Sequence, residues 1–459
     1  MSKNEEYILG LKKYIDENSE VLRREIRDGL ACYSSMEEGT TIMQARVQFY
    51  HGSFADHIPG VHHALEHMLF KGKNKEIVQK LEHLGASINA YTSVGSTVFT
   101  MECSSKKAFD VMRLFAEMFN HKDGFVVDEE EWRLEQTVIQ SERVESEADH
   151  DCVAHDEVAK TLYTDGVQVN ILGTEDDINR ITTADLVKAY NDMVYRENTS
   201  FMLKHGVYCT NMTVHMASLL TRFIPSYPTR DRHNGCIFAK RELTENYGIS
   251  NALKSVNSID FSVYLRLDAD VTCPVFEIIS CLITHYIGRG ISSPLFTKVR
   301  DALGGVYYCD AHSFSGTTIG ANLGINVKIH SDNPDEHINA CLGVLKDLKE
   351  NGMTEDEFNK TKNAVAYTIA KVHENGRMNA LAKAANLRME KVYDGLHISA
   401  ILENLSYGVA NGIIHELLNE KVKSLAMTIT YPENANPLGD SVLSKLQNAL
   451  NREGDEVNA

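Results

Sequence analysis

The stretch His63-Ala64-Leu65-Glu66-His67 decides how this chain is read. Two histidines four residues apart on a helix differ by only about 40° around its axis and by one turn along it, so both imidazoles can face one ion. Glu66 stands one residue before the second histidine, where a carboxylate can polarise a metal-bound water. The order is HxxEH, the reverse of HExxH, and the mechanics are the same. In a chain of 459 residues with 19 histidines and 64 acids such a pentad also arises by chance. The reading therefore depends on what lies downstream.

Two histidines leave a zinc ion short of a third protein ligand, and His2Glu with an open water position is a known catalytic set. About 75 residues on comes Glu131-Trp132-Arg133-Leu134-Glu135-Gln136-Thr137-Val138-Ile139-Gln140-Ser141-Glu142-Arg143. Glu135 and Glu142 are two helical turns apart and project from one face. Helix formers dominate and Gly and Pro are absent from Phe125 onward, which predicts a long helix running through Leu162. Any one of these glutamates taken alone also fits a solvated helix face.

HxxEH followed by a Glu-x-x-Val-Ile-x-x-Glu helix resembles the pitrilysin and insulin-degrading-enzyme superfamily of zinc peptidases. In length and layout the chain is similar to the shorter, mitochondrial-processing-peptidase-like branch. Further matches run in the family's order. Gly85-Ala86-Ser87-Ile88-Asn89-Ala90-Tyr91-Thr92-Ser93 resembles its Asn-Ala-x-Thr strand beside the site. Gly173-Thr174-Glu175 and Ile181-Thr182-Thr183-Ala184-Asp185-Leu186 resemble the segment closing the first half. Ser293-Pro294-Leu295-Phe296 through Val299-Arg300-Asp301-Ala302-Leu303-Gly304-Gly305-Val306-Tyr307 resembles a paired Arg and Tyr, again seven apart.

The resemblance implies roles. His63, His67 and Glu142 would bind one Zn2+ per chain, Glu66 would be the general base, and Glu135 an additional carboxylate near the site. Arg300 and Tyr307 would hold the substrate backbone and the developing oxyanion. Asn89, Ala90, Tyr91 and Thr92 form the candidate edge that pairs with a peptide substrate. His62 stands where relatives usually carry a small residue. It and the nearby His51 and His57 fall outside the ligand frame and are expected at the surface or in loops.

Composition agrees with a large protein of at least two domains. Hydrophobic residues make up 43% and there are only 8 prolines, which argues against long disordered tracts. No apolar run approaches the ~20 residues that cross a bilayer. The first residues, Met1-Ser2-Lys3-Asn4-Glu5-Glu6-Tyr7, lack the apolar core of a signal peptide and are too acidic for a typical transit peptide. Nine cysteines without a CxxC pair read as reduced thiols, so a cytoplasmic location is expected. A net charge of −18 disfavours nucleic acid and anionic membranes. It also suits basic peptides, although acids spread over the outer surface give the same total.

The halves read as degenerate copies. Val127-Asp128-Glu129-Glu130-Glu131-Trp132 has a counterpart in Met353-Thr354-Glu355-Asp356-Glu357-Phe358, each opening a long helix. Shorter helices precede them, Lys106 to Asn120 and Asp335 to Glu350. Alternating strands lie upstream at Ser96 to Cys103, Ser258 to Leu267 and Gly320 to Ile329. No HxxEH recurs in the second copy: His285 is followed by Tyr286-Ile287-Gly288-Arg289. The expected fold is α+β, two similar domains, each a sheet with helices packed on one face. Residues 1–224 would bear the metal, 225–250 would be a Pro- and Gly-punctuated linker, and 251–459 would form the second domain. A helix is expected from Asn4 to Arg27 and a frayed tail from Asn451 to Ala459. In the longer relatives four such domains enclose a chamber, so a two-domain chain implies a homodimer, or a heterodimer with a related subunit. A non-catalytic peptide-binding member of the family is the alternative, but such members have usually lost a ligand or the base. A di-metal carboxylate bundle needs Glu-x-x-His pairs on four helices, which this chain lacks.

Overall fold

Alternation of apolar and polar residues gives each sheet one face for helices and one polar face. The computed structural model describes residues 22–149, 170–206, 211–227, 246–254, 258–316, 320–331 and 334–432, together with residues 10, 13, 152, 156, 158–160, 162 and 163. The first half runs β1 (Leu22–Arg23), β2 (Glu25–Arg27), β3 (Leu30–Met36), β4 (Ile42–Phe49), α1 (Val61–Met68), α2 (Asn74–His83), β5 (Ser87–Thr92), β6 (Thr97–Ser104), α3 (Ala108–Glu117), α4 (Glu129–Ala148), α5 (Glu175–Arg180), α6 (Thr183–Met193), β7 (Thr199–His205) and α7 (Met212–Phe223). The second runs β8 (Asn246–Lys254), β9 (Ile259–Leu267), α8 (Pro274–Gly288), a π-helical turn (Phe296–Asp301), β10 (Val306–Gly316), β11 (Gly320–Ile329), α9 (Pro334–Asn351), α10 (Glu355–Asn375), α11 (Arg377–Asn386), β12 (Lys391–Val392), α12 (Gly395–Asn404), α13 (Tyr407–Glu420) and β13 (Val422–Pro432).

The sheets share one topology. Their orders are β2-β3-β7-β4-β6-β5 and β10-β11-β9-β13-β8. With β2 set aside, β3-β7-β4-β6-β5 maps strand for strand onto β8-β13-β9-β11-β10. Each holds one parallel pair, β3 with β7 and β8 with β13, among antiparallel neighbours. The expected α+β fold of two similar halves is what the chain adopts. In β4, Met43, Ala45, Val47 and Phe49 face a core shared with Leu65, Phe115 and Trp132. In β9, Phe261, Val263, Leu265 and Leu267 pack on Ile278, Ile279 and Leu282 of α8. The intervening residues, Gln44, Arg46 and Gln48 or Asp260, Ser262 and Arg266, lie on the opposite face.

The halves also meet each other. From the second half, α11 lays Leu381 and Ala385 over Tyr33 of β3 and Met202 of β7. Tyr33 and Tyr50 donate their hydroxyls to the carbonyls of Met389 and Ala385, at 3.0 and 2.8 Å. Arg388 stacks on Tyr50, 3.9 Å from the ring centroid. Elsewhere, buried Arg266 donates to the carbonyl of Leu162 at 2.8 Å and stands over Tyr163.

Four expectations need correction. Of the helix expected over Asn4–Arg27, the described Gly10 and Lys13 are helical, but Leu22–Arg23 and Glu25–Arg27 are strand. β2 and β3 form a hairpin around Asp28 and Gly29, both at positive φ, and Asp-Gly is the sequence signal for that two-residue turn. The helix bearing Glu142 breaks after Ala148, where Asp149 turns extended (ψ 110°); beyond the break Cys152, Asp156, Val158, Ala159, Lys160 and Leu162 are helical again. The 225–250 linker ends sooner: Asn246 already pairs with Ser424 as β8 joins β13. The expected exposure of His51 and His62 is the fourth, taken up with the site. The tail from Asn451 lies outside the described residues.

Candidate metal centre

The site begins at the start of α1. Gly60 has φ +88°, and a Cβ there would lie 2.3 Å from the carbonyl oxygen of Leu172, so only glycine fits. Asp56 then satisfies the helix's free donors. Its carboxylate accepts from the backbone N–H of Gly60 at 2.7 Å and of His62 at 3.2 Å, and from the His62 ring Nδ1 at 2.6 Å. His62 is therefore buried behind the helix, beside His51, whose ring lies 5.5 Å away and whose Nδ1 meets the Asn198 amide at 2.7 Å. Neither is a surface histidine, because each found a polar partner inside the fold. His57 is half-buried and meets Asp185 at 3.3 Å.

One turn apart, the rings of His63 and His67 lie 4.7 Å centroid to centroid. Their Nε2 atoms face the two carboxylate oxygens of Glu142 on α4, at 3.6 and 3.5 Å. One ligand atom from each of these three residues lies within 4.8 Å of the others, the only such group of three or more metal-ligating side chains found among the described residues. Zinc held at about 2.0–2.1 Å sets the edges of its ligand tetrahedron near 3.3–3.4 Å. The observed spacing fits that edge better than it fits hydrogen bonds, which would draw the atoms to about 2.8 Å. His63 Nδ1 is buried with no hydrogen-bond partner, so that ring is oriented by packing and by what sits at Nε2.

Around this triad the other carboxylates divide. Glu66 is buried and accepts a hydrogen bond from the Thr92 hydroxyl at 2.6 Å. Burial raises its pKa, against the lowering effect of Thr92 and the two histidines. Glu135 takes the far side of His67: one oxygen meets Nδ1 at 2.8 Å and the other meets Lys71 Nζ at 2.6 Å. Such a carboxylate fixes the imidazole tautomer and leaves Nε2 free as a ligand. Burial alone would lower the pKa of His67, but the facing carboxylates of Glu142 and Glu135 outweigh that and raise it. The same contacts with His63 and His67 hold the Glu142 carboxyl far below the usual range. His67, facing an ionised carboxylate, retains a proton or accepts a cation in its place.

The remaining residues expected at the site separate into two groups. Thr92 reaches Glu66, and Asn89, Ala90, Tyr91 and Thr92 all belong to β5, the edge strand beside α1. The Ala90 N–H is taken up by the Asn89 side chain at 2.9 Å, and the Tyr91 ring lies under Arg46. Arg300 and Tyr307 are together, in the second half. The Arg300 guanidinium stands 4.5 Å from the Phe296 ring and 6.0 Å from that of Tyr307. Tyr307 is 82% exposed at the start of β10, on the rim of a cavity of about 490 Å³ that Val158 and Tyr264 also line. Among the described residues no hydrogen bond, ion pair or ring contact joins either to His63, His67, Glu66 or Glu142. Sequence reasoning missed Lys71 and Asp56. Lys71 follows His67 by one helical turn, a spacing that would have flagged it; Asp56 needs the loop's path to be known.

Residues 33–175 match the family described as insulinase, Peptidase family M16, and residues 281–365 match the Peptidase M16 inactive domain. This chain belongs to peptidase family M16. The uncharacterized zinc protease YmxG of Bacillus subtilis (strain 168) is 23% identical to this M16 chain over 410 residues, 84% of it and 93% of the relative. Mitochondrial-processing peptidase subunit beta of Rattus norvegicus is 30% identical over 163 residues, 34% of this chain and 32% of the relative. A solved peptidase M16 inactive domain from Pseudomonas fluorescens has a TM-score of 0.75 at 17% identity, covering 91% of this chain and all of that one. That last likeness is one of fold. The M16 chain is peptidase-like, with zinc proteases among its relatives.

Proposed function

We propose that this M16 chain is a zinc-dependent endopeptidase that cleaves peptides or unfolded segments in an enclosed chamber. The observation that supports it most is the His63–His67–Glu142 triad with buried Glu66 beside it. In this reading His63, His67 and Glu142 hold one Zn2+ per chain. Zinc, when bound, supplies a Lewis acid that brings the pKa of a coordinated water to about 7 and polarises a carbonyl. Glu66 takes a proton from the attacking water and passes it to the leaving amine. The Thr92 hydroxyl holds one oxygen of Glu66, which orients the other for that transfer. Glu135 orients His67 and is itself anchored by Lys71. The open edge of β5 takes the peptide as an added strand, through backbone hydrogen bonds that carry little side-chain information.

Residues 1–224 form the metal-bearing domain in this reading, and the second domain supplies Arg300 and Tyr307 to the substrate backbone and the oxyanion. Among the described residues no hydrogen bond, ion pair or ring contact joins that pair to the triad, which supports its serving the metal centre of a second protomer in a homodimer. The partial match to a subunit of mitochondrial-processing peptidase favours one other reading, an active subunit that needs a related partner, as in presequence processing. A reduced, cytoplasmic protein remains part of the proposal. No disulfide links Cys32, Cys152, Cys281, Cys309 or Cys341, and no described helix is long and apolar enough to cross a membrane.

Digestion of a mixed peptide library tests the activity. Fragments are expected with the protein alone, none after treatment with a chelator, and full recovery when zinc is returned. Cleavage that survives complete metal removal would contradict the proposal.

A further inference from the structure

The polar face of the first sheet, turned away from α1, carries a cation that meets no anion among the described residues. Arg46 lies midway along β4, in register with Thr100 of β6 and, through it, with Asn89 of β5. Its guanidinium stands 5.2 Å from the centroid of Tyr91, so the side chain spans β6 to reach the edge strand. Among the described residues Arg46 forms no ion pair. The nearest acid along β6 on that face, Glu102, is held by the Gln44 amide at 2.7 Å. Arg46 Nε is buried and has no hydrogen-bond partner. Burial accordingly lowers the guanidinium's pKa, with no neighbouring charge acting on it.

A half-buried arginine without a carboxylate bears a desolvation cost that no ion pair among the described residues offsets. Other cations of the first half are paired: Lys71 with Glu135, and Lys204 with Glu37. The position of Arg46 relative to the docking edge is what gives it meaning. A peptide added to β5 lies about 4.8 Å beyond Tyr91, with side chains pointing alternately to the metal side and to the Arg46 side. A carboxylate on the Arg46 side would meet the exposed Tyr91 ring edge and the fork of the guanidinium, whose planar donors match a carboxylate in a bidentate pair. An ammonium group there would meet like charge.

We propose that Arg46, seated on Tyr91, forms a subsite for a carboxylate of the bound peptide on the side of the strand facing away from the metal centre. The inference rests on the peptidase reading and on β5 as the docking edge. It selects peptides with Asp or Glu at one register position, or whose C-terminal carboxylate falls there. The −18 charge of the chain does not oppose this, since charges more than about 8–10 Å away are largely screened at physiological salt.

The test is a peptide series in which Ala, Glu or Lys is walked through the positions flanking the cleaved bond, each peptide made as free acid and as C-terminal amide. At one position Glu is expected to raise kcat/KM about tenfold over Ala, the size of one charge-assisted hydrogen bond in a partly desolvated site. Lys should lower it. Arg46→Gln should bring the Glu-to-Ala ratio to about 1, and Arg46→Glu should invert the preference. If amidation alone reproduces the loss and no side-chain position matters, the carboxylate is the C-terminus. A Glu preference that Arg46→Gln leaves intact overturns the subsite. If no peptide is cleaved, the peptidase reading has failed on its own. The subsite is then read from the Kd values of the same peptides, labelled with a fluorophore. Equal affinity for Glu and Ala peptides, or a preference retained by Arg46→Gln, would overturn it.

Discussion

Glu66→Gln is expected to keep its zinc and its fold and to lose turnover by about 10²- to 10⁴-fold, the usual contribution of a positioned general base. The amide matches the carboxylate in shape, and its oxygen still accepts from Thr92, so the buried position stays filled and hydrogen-bonded. What it cannot do is take a proton. Glu66 lies outside the triad of facing ligand atoms, so metal content should not change. The measurement pairs kcat with elemental analysis and with affinity for an uncleaved peptide. Metal lost along with activity would make Glu66 a ligand and its assigned role wrong.

Tyr307→Phe is expected to lower kcat by about 10²- to 10³-fold, the cost of removing one oxyanion donor elsewhere. Zinc and stability should be untouched, because the hydroxyl is on an exposed ring. The informative experiment mixes these chains with Glu66→Gln chains. If each centre draws its tyrosine from the other protomer, a mixed dimer has one site with both defects and one with neither. Random assortment then restores about a quarter of wild-type activity. If the pair acts within its own chain, every site keeps one defect and mixing restores nothing. A Tyr307→Phe protein with full activity would remove the second half from the chemistry.

The topology gives this arrangement a physical reason. β5, which carries Thr92, and β10, which starts with Val306 and Tyr307, are the same edge of two copies of one sheet. Duplication therefore presents two equivalent edges, β5 beside the HxxEH helix and β10 beginning beside Arg300 and Tyr307. In the homodimer proposed above, the β10 edge of one protomer would meet the β5 edge of its partner.

Much of the centre was legible because its spacings are helical. His63 with His67, and Glu135 with Glu142, sit at intervals of four and seven on single helices, and such intervals fix a face before anything is known of the rest. That the two helices face each other came from the family resemblance and not from the residues. The strands at Ser258–Leu267 and Gly320–Ile329 were legible for a similar reason, strict alternation against one core. The errors lie where tertiary context decides. His51 and His62 look like surface residues by type, yet Asn198 and Asp56 receive them in the interior. Nothing local marks Asp149 as a helix end, since no Gly or Pro stands there. The Asp28-Gly29 turn was a readable signal, overridden by the helix-forming residues before it. Arg46 reads as an ordinary polar position in an alternating strand, and only the register of β4, β6 and β5 puts it beside Tyr91.

The most direct test of the central claim, that His63, His67 and Glu142 together hold the metal, is the zinc content of purified wild-type and His67→Ala chains by elemental analysis. One zinc per chain in the first and a content well below one in the second are predicted. Wild-type zinc in the His67→Ala chain would contradict the assignment.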